Sequence, residues 1–95
     1  VELYTKSIKN DRYFALAYNA RGVSKLQLKD YRGALIDLNK AIILQPEYGE
    51  AYFNRGLSKA YLSDNEAACT DAKQAEKLGY DSKKLISAVC LETKP

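Results

Sequence analysis

The chain has 95 residues, which is the size of one small domain, and its 46% apolar and 28% charged content is ordinary for a folded protein. A net charge of +3 is too small to favour a nucleic acid as partner, and no apolar stretch approaches the roughly 20 residues of a membrane span. The chain contains no His, so it lacks the usual general base at neutral pH and the commonest nitrogen ligand of metals.

Apolar residues recur at spacings of three and four along the chain, which is the period of a helix and not of a strand. The pattern predicts an all-α fold with helical segments at residues 1–9, 15–28, 31–44, 49–62, 65–78 and 82–91. Pro46 cannot continue the third segment, and Gly79 is a natural left-handed end to the fifth. Ser63 lies three residues before Glu66, and this spacing predicts a capping box at the start of the fifth segment.

The sequence repeats itself at a spacing of 34 residues. The run AYNARGVSK at 17–25 matches AYFNRGLSK at 51–59, with Ala, Tyr, Arg, Gly, Ser and Lys in register. Identical residues continue through the next helix, in the pairs Leu28 and Leu62, Asp30 and Asp64, Ala34 and Ala68, Asp37 and Asp71, Ala41 and Ala75, and Leu44 and Leu78. Because such a unit cannot bury its apolar face alone, the repeat predicts stacked copies, with units at 15–48 and 49–82.

The repeated residues are similar to the tetratricopeptide repeat, a helix-turn-helix unit with an aromatic residue, a Gly, two small residues and a closing Pro at fixed places. In the first unit these places hold Tyr18, Gly22, Ala34, Ala41 and Pro46. In the second unit they hold Tyr52, Gly56, Ala68 and Ala75, with Tyr80 where the second Pro would be. The resemblance implies a right-handed superhelix of antiparallel helix pairs, in which the small residues let paired helices approach closely.

Both units depart from the family pattern in similar ways. The places of its Leu, Tyr and Phe hold Arg21, Lys25 and Leu38 in the first unit and Arg55, Lys59 and Ala72 in the second. Since the Arg and Lys replacements occur in both units, they indicate a habit of a subfamily. The acidic turns and the Cys-containing end of the chain resemble those of bacterial members.

The beginning of the chain differs from the repeated units. Residues 3–8 align with residues 37–42, so segment 1–14 is interpreted as the second helix of a truncated repeat. Its apolar residues would then lack the helix against which they normally pack, and they would form an exposed patch able to support a homodimer. The residues of this patch are Leu3, Tyr4 and Ile8.

The last part of the chain, residues 83–95, is interpreted as a capping helix and tail, which makes the chain the C-terminal part of a longer array. Cys69 and Cys90 lie on adjacent predicted helices, so they can form a disulfide if their Cα atoms lie within about 7 Å. The alternative is two small buried thiols. A disulfide would indicate an oxidising compartment such as a periplasm, and the localisation otherwise stays open between cytoplasm and periplasm.

Basic residues recur as pairs with i,i+4 spacing, namely Arg21 with Lys25 and Arg55 with Lys59. Like charges at this spacing are mildly destabilising unless a negative group lies nearby. One interpretation is a basic ladder that binds an acidic ligand, and the other is salt bridging between units, with Arg55 close to Asp37 on the preceding helix. Asp37 and Asp71 also recur at the period of the unit and are interpreted as surface charge.

In tetratricopeptide arrays the first helix of each unit lines a concave groove, and the resemblance implies a partner-binding surface of this kind. Its residues would be Asn19, Val23, Leu26, Gln27, Phe53, Asn54, Leu57, Tyr61 and Lys84, with Leu91 at the edge. Phe53, Leu57 and Tyr61 form one apolar stripe, since they fall at i, i+4 and i+8 of one helix. Such a stripe can also be core, but the core face of that helix is assigned to Tyr52 and Gly56.

The sequence therefore predicts a non-catalytic scaffold that binds a peptide or helix of another protein, with no cofactor, metal or nucleic acid. The alternative is a structural or self-assembly module within a larger protein. Some family members bind the C-terminal tails of chaperones through a carboxylate clamp. Only Asn54 and Lys84 stand at suitable places for this clamp, while Val23 and Ala88 are apolar, so the resemblance does not extend to that partner.

Overall fold

The computed structural model describes the backbone of residues 2–90 and the side chains of residues 11–90. Within this part of the chain every regular element is a helix, in the order α1 (Glu2–Gln27), α2 (Tyr31–Leu44), α3 (Gly49–Tyr61), α4 (Asn65–Lys77) and α5 (Lys83–Val89). The predicted all-α class is therefore confirmed. Each helix packs on its neighbours in the chain, and the molecule is elongated, with extents of 53 × 28 × 16 Å.

The first helix is longer than the sequence pattern predicts. Separate helices are expected at 1–9 and 15–28, but α1 runs without a break from Glu2 to Gln27. Residues 10–14 read Asn-Asp-Arg-Tyr-Phe and contain neither Pro nor Gly, whereas the corresponding turn after α2 contains Pro46. Because no residue there stops a helix, the predicted turn is wrong. The predicted homodimer patch lies outside the described side chains; it consists of Leu3, Tyr4 and Ile8.

The turns of the two hairpins, α1–α2 and α3–α4, have the same structure at a spacing of 34 residues. Lys29 and Ser63 adopt the left-handed conformation, with φ of 65° and 69°. The next residues, Asp30 and Asp64, accept hydrogen bonds from backbone N–H groups three residues later, at 3.0 and 3.3 Å. These carboxylates are the N-caps of α2 and α4. The capping box predicted at Ser63 is therefore wrong, because Ser63 forms the turn and Asp64 caps the helix.

Small residues bring the two helices of each hairpin into close contact. A Cβ atom at Gly22 would lie 2.8 Å from Cγ of Leu38, which is fully buried. A Cβ atom at Gly56 would lie 3.2 Å from the backbone oxygen of Ala68. Since a buried leucine and a helix backbone cannot move away cheaply, larger residues at these two positions would overpack the hairpins.

Buried apolar residues form two clusters along the array. The first joins α2 to α3 and contains Ala41, Ile42 and Ala51, with Tyr18, Tyr48 and Tyr52 packed around it. The second joins α3, α4 and α5 and contains Ala68, Ala72, Leu85 and Val89, with Phe53, Leu57, Ala60, Cys69, Ile86 and Cys90 around it. The core is thus spread along the stack of helices, and the exact boundaries of the units at 15–48 and 49–82 remain a prediction.

The short helix α5 is held to α4 by a disulfide. Cys69 and Cys90 are bonded, and their Cα atoms lie 4.9 Å apart. Of the two alternatives that the sequence leaves open, the disulfide is the one present. Leu85 and Val89 bury one face of α5 in the second cluster. A helix of this length is not stable alone in water, so α5 depends on these contacts and on the covalent bond.

Candidate functional site

Helices α1 and α3 lie side by side, and the space between them forms a groove. Midway along, Asn54 of α3 donates a hydrogen bond from Nδ2 to Oδ1 of Asn19 of α1, at 3.0 Å. Further along, Gln27 of α1 and Tyr61 of α3 line the same depression. Since the residue numbers rise together on both helices, α1 and α3 run in the same direction. This space is called the α1–α3 groove below.

The groove contains a depression of about 290 Å³ near the C-terminal ends of both helices, called the C-terminal depression. It is lined by Val23, Leu26, Gln27, Asn54, Leu57 and Tyr61. All of these residues belong to the predicted partner-binding set. The Tyr61 ring is 61% exposed and stacks on Tyr31, with ring centroids 4.6 Å apart and planes within 8°. This stacking fixes the orientation of the Tyr61 ring at the wall of the depression.

A second depression, of about 260 Å³, lies near the start of α3 and is called the N-terminal depression. It is lined by Arg12, Ala15, Leu16, Gln45, Glu47 and Tyr48. None of these residues was in the predicted site, because a helix beginning at residue 15 leaves Arg12 and the turn before α3 out of the groove. Leu16 lies seven residues before Val23 and therefore on the same face of α1. This spacing is the signal in the sequence that identifies the second depression.

Between the two depressions, the groove has a polar floor. Asn19 and Asn54 are both buried and bonded to each other, and Asn19 also forms a hydrogen bond with the Tyr48 hydroxyl. Burial raises the pKa of Tyr48, and the nearby Glu50 carboxylate adds to this, while the bond with Asn19 acts in the opposite direction. Tyr48 is therefore neutral at physiological pH. Buried amides that satisfy each other fix the position of α3 relative to α1.

The remaining predicted residues lie elsewhere. Phe53 is half-buried, packs against the second core cluster and contacts the Tyr80 ring at a centroid distance of 5.2 Å. Lys84 is exposed on α5 and lines neither depression. The apolar stripe of α3 is thus divided: Phe53 belongs to the core, Tyr61 to the groove, and Leu57 contacts both. Leu91 lies outside the described residues.

The first basic pair is held inside its own hairpin. Arg21 donates from Nε and Nη2 to the two oxygens of Asp37, each at 2.9 Å, and Lys25 Nζ lies 3.1 Å from Oδ2. The Asp37 side chain is buried, so its interpretation as surface charge is wrong. The hydrogen bonds from Arg21, assisted by Lys25, hold the pKa of Asp37 below its ordinary value although burial opposes this shift.

The second basic pair repeats this geometry. Arg55 bonds both oxygens of Asp71 at 2.9 Å, and Lys59 Nζ lies 3.1 Å from Oδ2. Asp71 is also buried, and its bond to Arg55 raises the pKa of the guanidinium. The predicted pairing of Arg55 with the preceding unit's Asp37 is wrong. The hairpin places each Arg beside the Asp sixteen residues later, and only Arg55 Nη1 reaches the preceding unit, at Asn39 Oδ1, 2.9 Å away.

The groove is therefore formed by uncharged groups along most of its length. The four cations of the basic pairs contact carboxylates within the hairpins, and none of them lines either depression. This arrangement does not favour the basic ladder for an acidic ligand. The C-terminal depression combines three aliphatic side chains, one tyrosine ring and two amides. Charged side chains occur at the N-terminal depression alone, as Arg12 and Glu47.

No protein-family model matches the chain, and no curated protein is significantly similar to it. Across residues 2–90 no cluster of His, Cys, Asp or Glu could hold a metal ion. The helices described here also include none that is long and apolar enough to cross a membrane.

Proposed function

We propose that the chain is a tetratricopeptide-like scaffold whose α1–α3 groove binds a helix or extended segment of another protein and catalyses no reaction. The observation that carries the proposal is the C-terminal depression. There the apolar side chains of Val23, Leu26 and Leu57 surround a concavity that also contains the amides of Gln27 and Asn54. A concave apolar surface with a few convergent polar groups is the usual form of a binding site.

The walls of the groove are rigidly supported. Each wall belongs to a hairpin that is closed by a buried ion-paired carboxylate, and the two walls are joined by the bond between Asn19 and Asn54. A surface that is already ordered before binding loses less conformational entropy when a ligand arrives. The groove is therefore suited to bind a ligand without rearrangement.

The chemistry of the lining indicates the kind of segment that would bind. An apolar or aromatic side chain would fill the C-terminal depression against the Tyr61 ring, and backbone N–H and C=O groups would meet the two amides. The lining of this depression offers no charged group to an acidic chain terminus. The preferred ligand is thus a neutral segment with one large apolar anchor.

The fold assigned in this proposal is a right-handed superhelix of tetratricopeptide units. It is supported by the residues that resemble the family and by the 34-residue repetition of turns, N-caps and ion pairs. The disulfide between Cys69 and Cys90 favours an oxidising compartment, because such bonds persist there.

A peptide library displayed on phage tests the proposal. After selection against the wild-type chain, an enriched peptide is titrated against the wild type and a groove variant, Val23→Glu with Tyr61→Ala. We expect binding to weaken by about a hundredfold or more in the groove variant, since it loses an apolar anchor site and gains a buried charge. Circular dichroism checks that the variant keeps its helices.

The matched control is Thr70→Glu with Lys77→Ala, which changes two exposed residues of α4 that lie outside both depressions. We expect this control to bind the peptide like the wild type. The proposal is wrong if no peptide is enriched, or if the folded groove variant binds as tightly as the wild type.

A further inference from the structure

The outer face of α2 carries two exposed isoleucines. The side chains of Ile36 and Ile43 are 60% and 76% exposed, and they lie seven residues apart. This spacing places them on one face of the helix, about 10.5 Å apart along its axis. The opposite face of α2 is the buried one, with Ala34, Leu38 and Ala41 in the core. The two isoleucines thus form a short apolar ridge without a partner in the described part of the molecule.

The repeat itself does not require apolar residues at these positions. In the second unit the corresponding residues, 34 positions later, are Thr70 and Lys77. Both are exposed on α4, and their polar side chains suit a surface that faces water. The first unit therefore differs from the second at two positions where solubility favours polar groups.

The α1–α3 groove has matching dimensions. Its N-terminal and C-terminal depressions have Leu16 and Val23 as α1 wall residues, and these also lie seven residues apart on one helix face. The distance between them along α1 is again about 10.5 Å. Each depression, at about 260 and 290 Å³, has room for one aliphatic side chain. A helix lying along the groove would place side chains at i and i+7 in the two depressions.

We infer that the occupant of the α1–α3 groove is a second copy of this chain, docked through Ile36 and Ile43 of α2. The inference rests on the proposed function, because it uses the same groove. The ridge and the groove are different surfaces of one molecule, so the contact is heterologous and leaves one free ridge and one free groove in every dimer. Further copies add at both ends, and the assembly is open rather than closed.

Sedimentation velocity over a wide concentration series tests this inference. The wild-type chain is compared with a ridge variant, Ile36→Glu with Ile43→Glu, and with a groove variant, Leu16→Glu with Val23→Glu. We expect the average mass of the wild type to rise with concentration without reaching a fixed size. Each variant alone should stay monomeric, with association weakened by roughly tenfold or more for each buried isoleucine lost.

Mixing the two variants gives the decisive measurement. The ridge variant keeps its groove and the groove variant keeps its ridge, so an equimolar mixture should form a dimer and no larger species. The matched control Thr70→Glu with Lys77→Glu should assemble like the wild type, and circular dichroism verifies that all variants are folded. The inference is overturned if the wild type is monomeric throughout, if the folded ridge variant still assembles, or if the mixture stays monomeric.

The two proposals fail in different ways. A monomeric chain that still binds a selected peptide in the groove would remove the self-assembly and keep the proposed function. A chain that assembles through ridge and groove, but enriches no peptide, would remove the proposed binding of another protein and keep the self-assembly.

Discussion

The two repeated units look alike in sequence but obtain their cores from different places. In the first hairpin the buried Leu38 fills the space next to Gly22. The corresponding residue of the second hairpin is Ala72, and the space is filled by Leu85 and Val89 of α5. The first hairpin therefore supplies its own large core residue, whereas the second depends on a short helix that follows it. Similar repeats can thus differ in what stabilises them.

The ion pairs show a second difference between the units. The Arg21 side chain is 62% exposed and contacts only its own hairpin, while Arg55 is 21% exposed and also bonds Asn39 of the preceding unit. The local geometry at the two carboxylates is the same, with bonds of 2.9 Å. The position of a unit within the stack, and not its own sequence, decides how strongly its Arg is enclosed.

Truncating the core of the first unit should give the largest effect. We expect Leu38→Ala to lower the free energy of unfolding by about 2 to 5 kcal/mol, because it leaves a cavity beside Gly22 in a fully buried site. Urea denaturation followed by circular dichroism measures the change. The control Ile36→Ala alters an exposed residue of the same helix and should stay within about 0.5 kcal/mol of the wild type. Equal losses for both variants would contradict the assignment of Leu38 as the core of this unit.

The second unit should respond most to loss of its disulfide. Cys69→Ser with Cys90→Ser opens a loop with a sequence separation of 21, and we expect it to cost about 3 kcal/mol, mainly by freeing the unfolded chain. Hydrogen exchange should show the amides of α5 and α4 losing protection first, since α5 supplies the core of this unit.

Reduction of the wild type with dithiothreitol is the companion measurement. It should reproduce the loss seen in the double serine variant and leave that variant unchanged. If reduction left the stability of the wild type unaltered, or if α1 and α2 lost protection before α5, the dependence of the second unit on α5 would be refuted.

The smallest effect concerns the charge of the first unit. The pKa of Asp37 is lowered in the folded state, so between the folded value and the ordinary value of about 3.9 the unfolded chain binds more protons. Stability from this carboxylate is complete above that ordinary value and is lost as the pH falls through the folded value. We therefore expect Asp37→Asn to be less stable than the wild type at neutral pH, with the difference shrinking below about pH 4.

Unfolding by urea at a series of pH values measures this difference. Asparagine has nearly the size of aspartate, so the comparison reports mainly the charge. A difference between the two proteins that stays constant from neutral to acidic pH would show that Asp37 contributes by its shape and not by its ion pairs.

Much of the fold follows directly from the sequence, and most of the groove does too. The apolar period places α2, α3, α4 and α5 within one or two residues of their observed ends. The repeat spacing identifies Gly22 and Gly56 as close contacts, and the set predicted for the groove includes every residue that lines the C-terminal depression. These features depend on patterns within single helices, which the sequence displays openly.

The errors concern long-range partners and one helix end. The sequence could not show that Arg55 bonds Asp71 and not Asp37, since both carboxylates lie on neighbouring helices. It left the pairing of Cys69 with Cys90 open, because only the position of α5 decides whether the sulfur atoms meet. The missing stop signal at 10–14 was visible in the sequence, but alignment with the repeat predicted a turn there.

The sequence by itself determined the helices, their period of 34 residues and the small residues at their contacts. Each of these is encoded within a few residues, through hydrophobic spacing, caps and glycine. The tertiary structure alone decided the buried ion pairs, the disulfide, the division of the α3 stripe between core and groove, and the two depressions. These features join residues that are far apart in the chain, and their distances depend on how the helices are placed against one another.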